Sequence, residues 1–120
     1  MDTEQLIETW FRIWTDGDFN ELPLAENFTH QSPYGTVQGR SAYLELVKEN
    51  KELFTGNQFR IHDKVIGNNS GCVRYTMVSP QQSMEVSEWF YTENGKINRI
   101  VAYYDKSGEL TGGRGIKIEQ

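Results

Sequence analysis

Two positions in this 120-residue chain combine an ionisable side chain with an apolar setting. The first is Glu88. Read at a period of two, Met84, Val86, Glu88 and Phe90 form one face of a strand, so a carboxylate stands in an apolar row. Desolvation disfavours the charged carboxylate and raises its pKa. A protonated glutamic acid can donate a hydrogen bond or act as a general acid. A structural carboxylate paired with a neighbouring donor, or one at a wet pocket mouth, fits the same pattern. The second position is His30, which shares a strand face with Phe28 and Ser32. A neutral imidazole there can act as a base or orient a ligand carbonyl. A histidine simply hydrogen-bonded in the core or at the rim is the plainer alternative. If Glu88 and His30 touch, they titrate as one coupled pair.

Other chemistries are excluded. Two His and one Cys show no metal-ligand spacing, and no glycine-rich phosphate loop is present, so neither a metal nor a cofactor is expected. The net charge of −5 argues against a nucleic-acid partner. No apolar run approaches the ~20 residues of a membrane span. Met1 is followed by Asp2, Thr3 and Glu4, which is no signal-peptide pattern, and the single Cys72 cannot form an internal disulfide; both predict a cytoplasmic protein. Ser32 and Tyr34 flank a Pro33-Tyr34-Gly35 turn, where they contact a polar ligand group or stabilise the turn. Arg12, His62 and Asp63 read as solvated.

The elements that must position these residues follow from periodicity. Asp2 and Gln5 form a capping-box pattern, and Leu6, Ile7, Trp10, Phe11 and Trp14 make a helical stripe that Gly17 stops. Asp18 caps an expected short second helix reaching about Ala25. A short strand and turn occupy residues 27–38. A third helix is expected over about Arg40 to Phe54. From Asn57 the period changes to two, giving four strands divided by turn signals at 68–71, 79–82 and Asn94-Gly95. Helices first and antiparallel strands after predict an α+β domain over residues 1–105, with the helices on one sheet face. Residues 106–120 read as a glycine-rich tail, and Gly112-Gly113-Arg114-Gly115 belongs to it.

The fifteen aromatic residues divide by strand parity. Trp10 and Trp14 on the first helix, with Tyr43 and Val47 on the third, turn toward the sheet. Phe28, Phe59, Tyr75 and Met77 join them from the strands, as do Met84, Val86 and Phe90. Ile100, Ala102 and Tyr104 complete that face on the final strand. These residues, with Ser32 and Tyr34, are the candidate core and ligand pocket. Trp89, Tyr91 and Tyr103 have the opposite parity. With Val101 and Arg74 they predict an outer patch large enough to bury against a second copy.

The order of elements, together with Trp14-Thr15-Asp16-Gly17-Asp18, Ser32-Pro33-Tyr34-Gly35, Gly39-Arg40, Gly95-Lys96-Ile97 and Tyr103-Tyr104-Asp105, resembles the nuclear transport factor 2-like superfamily. The resemblance is to its SnoaL-like and ketosteroid isomerase-like branch. It implies a cone: a strongly curved, mostly antiparallel sheet wrapped around three N-terminal helices, enclosing an apolar pocket, as in a cystatin-like roll. It also implies homodimers. Ketosteroid isomerases use a helix tyrosine, a general-base aspartate and a second aspartate that an apolar site keeps protonated. Trp10, Ser32 and Glu88 occupy those places here, so only Glu88 keeps the chemistry. The expected function is binding of a small apolar or amphipathic molecule, with cofactor-free isomerase, cyclase or dehydratase chemistry on Glu88 and His30. A non-catalytic binding module and a dimeric interaction domain remain alternatives.

Overall fold

The computed structural model describes residues 1–54, 56–80 and 83–105. The proposed tail lies outside them. Helix α1 spans Thr3–Asp16 and opens on the expected capping box, in which Asp2 accepts from the Gln5 N–H (2.8 Å) and Gln5 accepts from the Asp2 N–H (2.9 Å). Its buried stripe is Leu6, Ile7, Trp10, Phe11, Ile13 and Trp14. The expected second helix shrinks to one 3₁₀ turn at Phe19–Glu21, and strand β1 runs from Leu24 to Ser32. The reason is tertiary. Pro23 offers its carbonyl to the Ile97 N–H (2.8 Å), and Leu24 pairs with Ile97, which draws residues 23–25 into the sheet.

Strand β2 (Gly35–Gln38) returns from the turn as a hairpin. The single long helix expected next is two: α2 (Arg40–Glu49) and α3 (Lys51–Phe54). Asn50 interrupts it by folding its side-chain amide back onto the Leu46 carbonyl (2.9 Å), a local bond that competes with helix continuation. Strands β3 (Gln58–Ile66), β4 (Ser70–Val78), β5 (Ser83–Glu93) and β6 (Lys96–Tyr103) follow as expected. Asn94 (φ 52°) and Gly95 (φ 73°) both adopt positive φ in the β5–β6 turn, which suits the right-handed twist of the strands.

The six strands form one sheet in the order β2-β1-β6-β5-β4-β3. Every pairing is antiparallel except β1 with β6. Register shifts interrupt β1–β6, β3–β4 and β5–β6, the kind of irregularity at which strands bend. The helices cover one face. At Gly71 a Cβ would sit 2.9 Å from Ile7 Cδ1 and 3.3 Å from the Val65 carbonyl oxygen, so the missing side chain is what lets α1 approach β4. Among the described residues, no helix is long and apolar enough to cross a membrane.

Candidate functional site around Glu88

The sheet register sets the site. Glu88 pairs with Val73 on β4 and Ala102 on β6, on the helix-covered face. Tyr75 lies two residues beyond Val73 on the same face, diagonal to Glu88. Its hydroxyl donates to Glu88 Oε1 at 3.0 Å. Trp10 descends from α1, and its indole N–H donates to the same carboxylate. Tyr43 closes the side from α2, stacked on Trp10 with ring centroids 6.3 Å apart. Phe90 packs edge-on to Trp10 at 5.8 Å. Glu88 is only 4% exposed.

Two effects oppose each other at this carboxyl. Burial disfavours its charge, whereas the Tyr75 and Trp10 donors stabilise the anion. Burial is the larger, and the pKa rises from 4.5 to about 7. Glu88 is therefore divided between its acid and its anion near neutral pH, the condition under which a carboxyl best gives and takes protons. The effect is mutual: burial and the neighbouring Glu88 charge push the Tyr43 and Tyr75 hydroxyls well above their usual range.

His30 lies on the same sheet face, opposite Ile100, which in turn pairs with Phe90. Its ring is half-buried, stacked on Tyr43 at 5.1 Å and near Phe28 at 6.4 Å. Burial lowers its pKa from 6.5 to about 4, so it is neutral at physiological pH. Glu88 has no part in that shift. Tyr43, which stacks on His30 and senses the charge of Glu88, stands between the two groups.

The remaining predicted residues separate by depth. Phe28, Val47, Val86, Phe90, Ile100 and Ala102 are buried, and Trp14 is buried beside Phe19 and Phe54. Phe59, Met77, Met84 and Tyr104 are half-buried around the core. Ser32 accepts from the Tyr34 N–H (3.2 Å) and shares a hydrogen bond with Tyr104. Tyr34 itself is 69% exposed, its ring 6.1 Å from that of Tyr104.

On the outer face, Trp89 and Tyr103 are exposed. Tyr91 carries the Arg99 guanidinium over its ring at 5.1 Å. Val101 is buried, and Arg74 pairs with exposed Asp63 at 2.7 Å. His62 is exposed as expected, yet it bonds the Thr76 hydroxyl (2.7 Å), which donates to Glu85 (2.6 Å). Strand periodicity alone does not reveal that chain, because its members lie on three strands.

Sequence reasoning placed Trp10 and Tyr75 as apolar wall and missed their polar work on Glu88. The signal was available in residue type, since a buried Tyr or Trp carries a donor that needs a partner. Among the described residues, no cluster of His, Cys, Asp and Glu is placed to hold a metal ion. An open cleft of about 550 Å³ runs along the outside of α1, lined by Arg12, Asp18, Glu21, Arg40 and Lys96 among others. It includes none of the groups around Glu88, and the tuned chemistry is at Glu88.

Comparison with known proteins agrees with this architecture. A nuclear transport factor 2-like protein of unknown function from Cytophaga hutchinsonii superposes with a TM-score of 0.76 at 21% identity, covering 88% of this chain and 91% of that one. A SnoaL-like protein of unknown function from Burkholderia thailandensis gives 0.73 at 17% identity, covering 86% and 94%. An epoxide hydrolase from M. tuberculosis gives 0.69 at 14% identity, covering 84% and 80%. No curated protein matches the chain. At these identities the likeness concerns the fold, which hosts several activities. The SnoaL-like domain family matches residues 7–100, and with the helix-covered sheet and its order of elements this places the chain in the SnoaL-like family of the nuclear transport factor 2-like superfamily.

Proposed function

We propose that the chain binds a small, largely apolar molecule against the aromatic interior and that Glu88 exchanges a hydrogen bond or proton with an oxygen of that molecule. The observation that carries this reading is a carboxyl enclosed by Trp10, Tyr43, Tyr75 and Phe90, with no cation beside it in the hydrogen bonds and ion pairs of the described residues. Two donors hold its oxygens in place, which fixes the direction in which a proton can be given or taken. The reaction class is cofactor-free proton transfer of isomerase, cyclase or dehydratase type. His30 supplies a neutral ring nitrogen as base or as a ligand-orienting group. The catalytic pair is Glu88 and His30, and the groups around them form the pocket.

One observation favours a second reading, a ligand carrier without turnover. Ser32 stands where ketosteroid isomerases place their general-base aspartate, and its hydroxyl is engaged by the Tyr34 N–H and by Tyr104. On either reading a second copy covers the outer sheet face, where Trp89 (42%) and Tyr103 (58%) are exposed on adjacent strands. Native mass spectrometry of gently purified protein tests these readings together. The expected result is a dimer with a co-purifying small apolar molecule. Glu88→Gln then loses turnover of that molecule if the protein is an enzyme and has none to lose if it is a carrier. A molecule retained equally by Glu88→Leu would overturn the site.

A further inference from the structure

One buried donor in the interior has no partner among the described residues. The indole nitrogen of Trp14 is sealed from solvent and bonds to none of them, although Trp14 is only 8% exposed. Its ring neighbours are Trp10 at 5.6 Å, Phe19 at 4.8 Å and Phe54 at 5.1 Å, all without an acceptor on the ring. Buried N–H groups are nearly always paired, and leaving one unpaired is costly. The contrast with Trp10 is informative. The two tryptophans are four residues apart, so they share a helix face and are offset by about 6 Å along the axis. Trp10 spends its N–H on Glu88.

The offset has a direction. The N-terminal end of α1 is anchored at the β3–β4 turn and the end of β5, where Thr3 bonds Thr92 (2.7 Å) and the Asn68 carbonyl (2.6 Å). Trp14 is at the other end of α1, beside the half-buried Phe54. Met77, Met84 and Phe59, also half-buried, lie at the same end of the sheet, beyond Tyr75 and Val86. Trp14 is therefore displaced from Glu88 toward this half-buried end of the interior.

We propose that Trp14 is a second polar contact of the interior site, its indole N–H donating to an acceptor oxygen at the end of the ligand remote from Glu88. This rests on the reading of Glu88 as the inner contact, and it narrows the ligand class. The ligand is an elongated apolar molecule with oxygen functions at both ends, and a molecule oxygenated at one end leaves Trp14 unsatisfied.

The test uses 2-naphthol and 2,6-dihydroxynaphthalene as one-ended and two-ended probes, titrated calorimetrically into the full chain. The expected result is that the native protein binds the two-ended probe about three- to tenfold more tightly, the value of one added neutral hydrogen bond. Trp14→Phe, which keeps an aromatic ring and removes the N–H, erases that preference, so that the two probes bind it with equal affinity. Glu88→Leu weakens both probes alike. Independently of any variant's stability, the Trp14 indole proton of native protein moves downfield in ¹H–¹⁵N spectra on adding the two-ended probe and not the one-ended one. A preference that survives Trp14→Phe, or an indole proton that does not move, overturns the role of Trp14 while leaving Glu88 intact. Failure of both probes to bind, or binding indifferent to Glu88→Leu, overturns the inner site and this inference with it.

Discussion

Replacing Glu88 by Gln keeps the shape of the side chain and removes its titration, so the pH dependence of stability isolates the cost of burying it. The carboxyl has a pKa of about 7 in the fold against 4.5 as a free side chain. A group raised in this way contributes stability that is complete below the unfolded pKa and disappears as pH climbs through the folded one. At about 1.4 kcal/mol per pH unit, the loss between pH 4.5 and just above 7 amounts to about 3 kcal/mol. His30 acts with the opposite sign. Its pKa falls from 6.5 to about 4, so its contribution is present above pH 6.5 and is lost as pH drops through 4. Because the ring is only half-buried, solvent screening reduces that contribution to about 2 kcal/mol. The two slopes oppose each other between pH 4.5 and 6.5, so the native protein alone reveals only their difference. Differences reveal both. Urea denaturation from pH 4 to 8.5 should show Glu88→Gln gaining about 3 kcal/mol on the native protein as pH rises, whatever constant offset the new amide introduces. His30→Asn should lose the acid-side weakening. Parallel native and Glu88→Gln curves across this range would refute the claim that Glu88 is desolvated by the fold.

Three further outcomes follow from packing. Phe90 is fully buried between α1 and the sheet, and Phe90→Ala should cost about 3–5 kcal/mol in the same urea assay; a cost below about 1 kcal/mol would mean the core closes over the gap. Gly71→Ala should destabilise by about 1–3 kcal/mol, because its methyl meets Ile7 and the Val65 carbonyl. Ile7→Val in that background should recover part of the loss, and no recovery would place the strain elsewhere. Paired Trp89→Ser and Tyr103→Ser should convert a dimer to a monomer in sedimentation velocity, with secondary structure intact; an unchanged dimer would move the interface off the outer face.

Much of the fold was legible in residue order. The capping box at Asp2, the stripe from Leu6 to Trp14 and the Asn94-Gly95 turn are local signals, and each sits where its pattern places it. The elements misread were those whose state depends on a distant partner. Residues 23–25 fall at the end of the helix expected from the Asp18 cap, yet Ile97 claims them for the sheet. Asn50 breaks a continuous helical period because its amide competes for a backbone carbonyl.

The site divides in the same way. Side chains alternate along a strand whatever lies beside it, so the sequence by itself determined that Glu88 and His30 share an inward face and that Trp89 and Tyr103 turn outward. It also determined that few residue types capable of acid–base work face inward at all. What surrounds those groups was decided only by the tertiary structure. Tyr75 reaches Glu88 across a strand pair, Trp10 reaches it from a helix far away in the chain, and Tyr43 separates it from His30. A pKa depends on the partners and solvent within a few ångströms, and neither is encoded by spacing along the chain. The same holds for Trp14, whose place on the helix stripe was plain and whose unpaired N–H appeared only once its neighbours were in position.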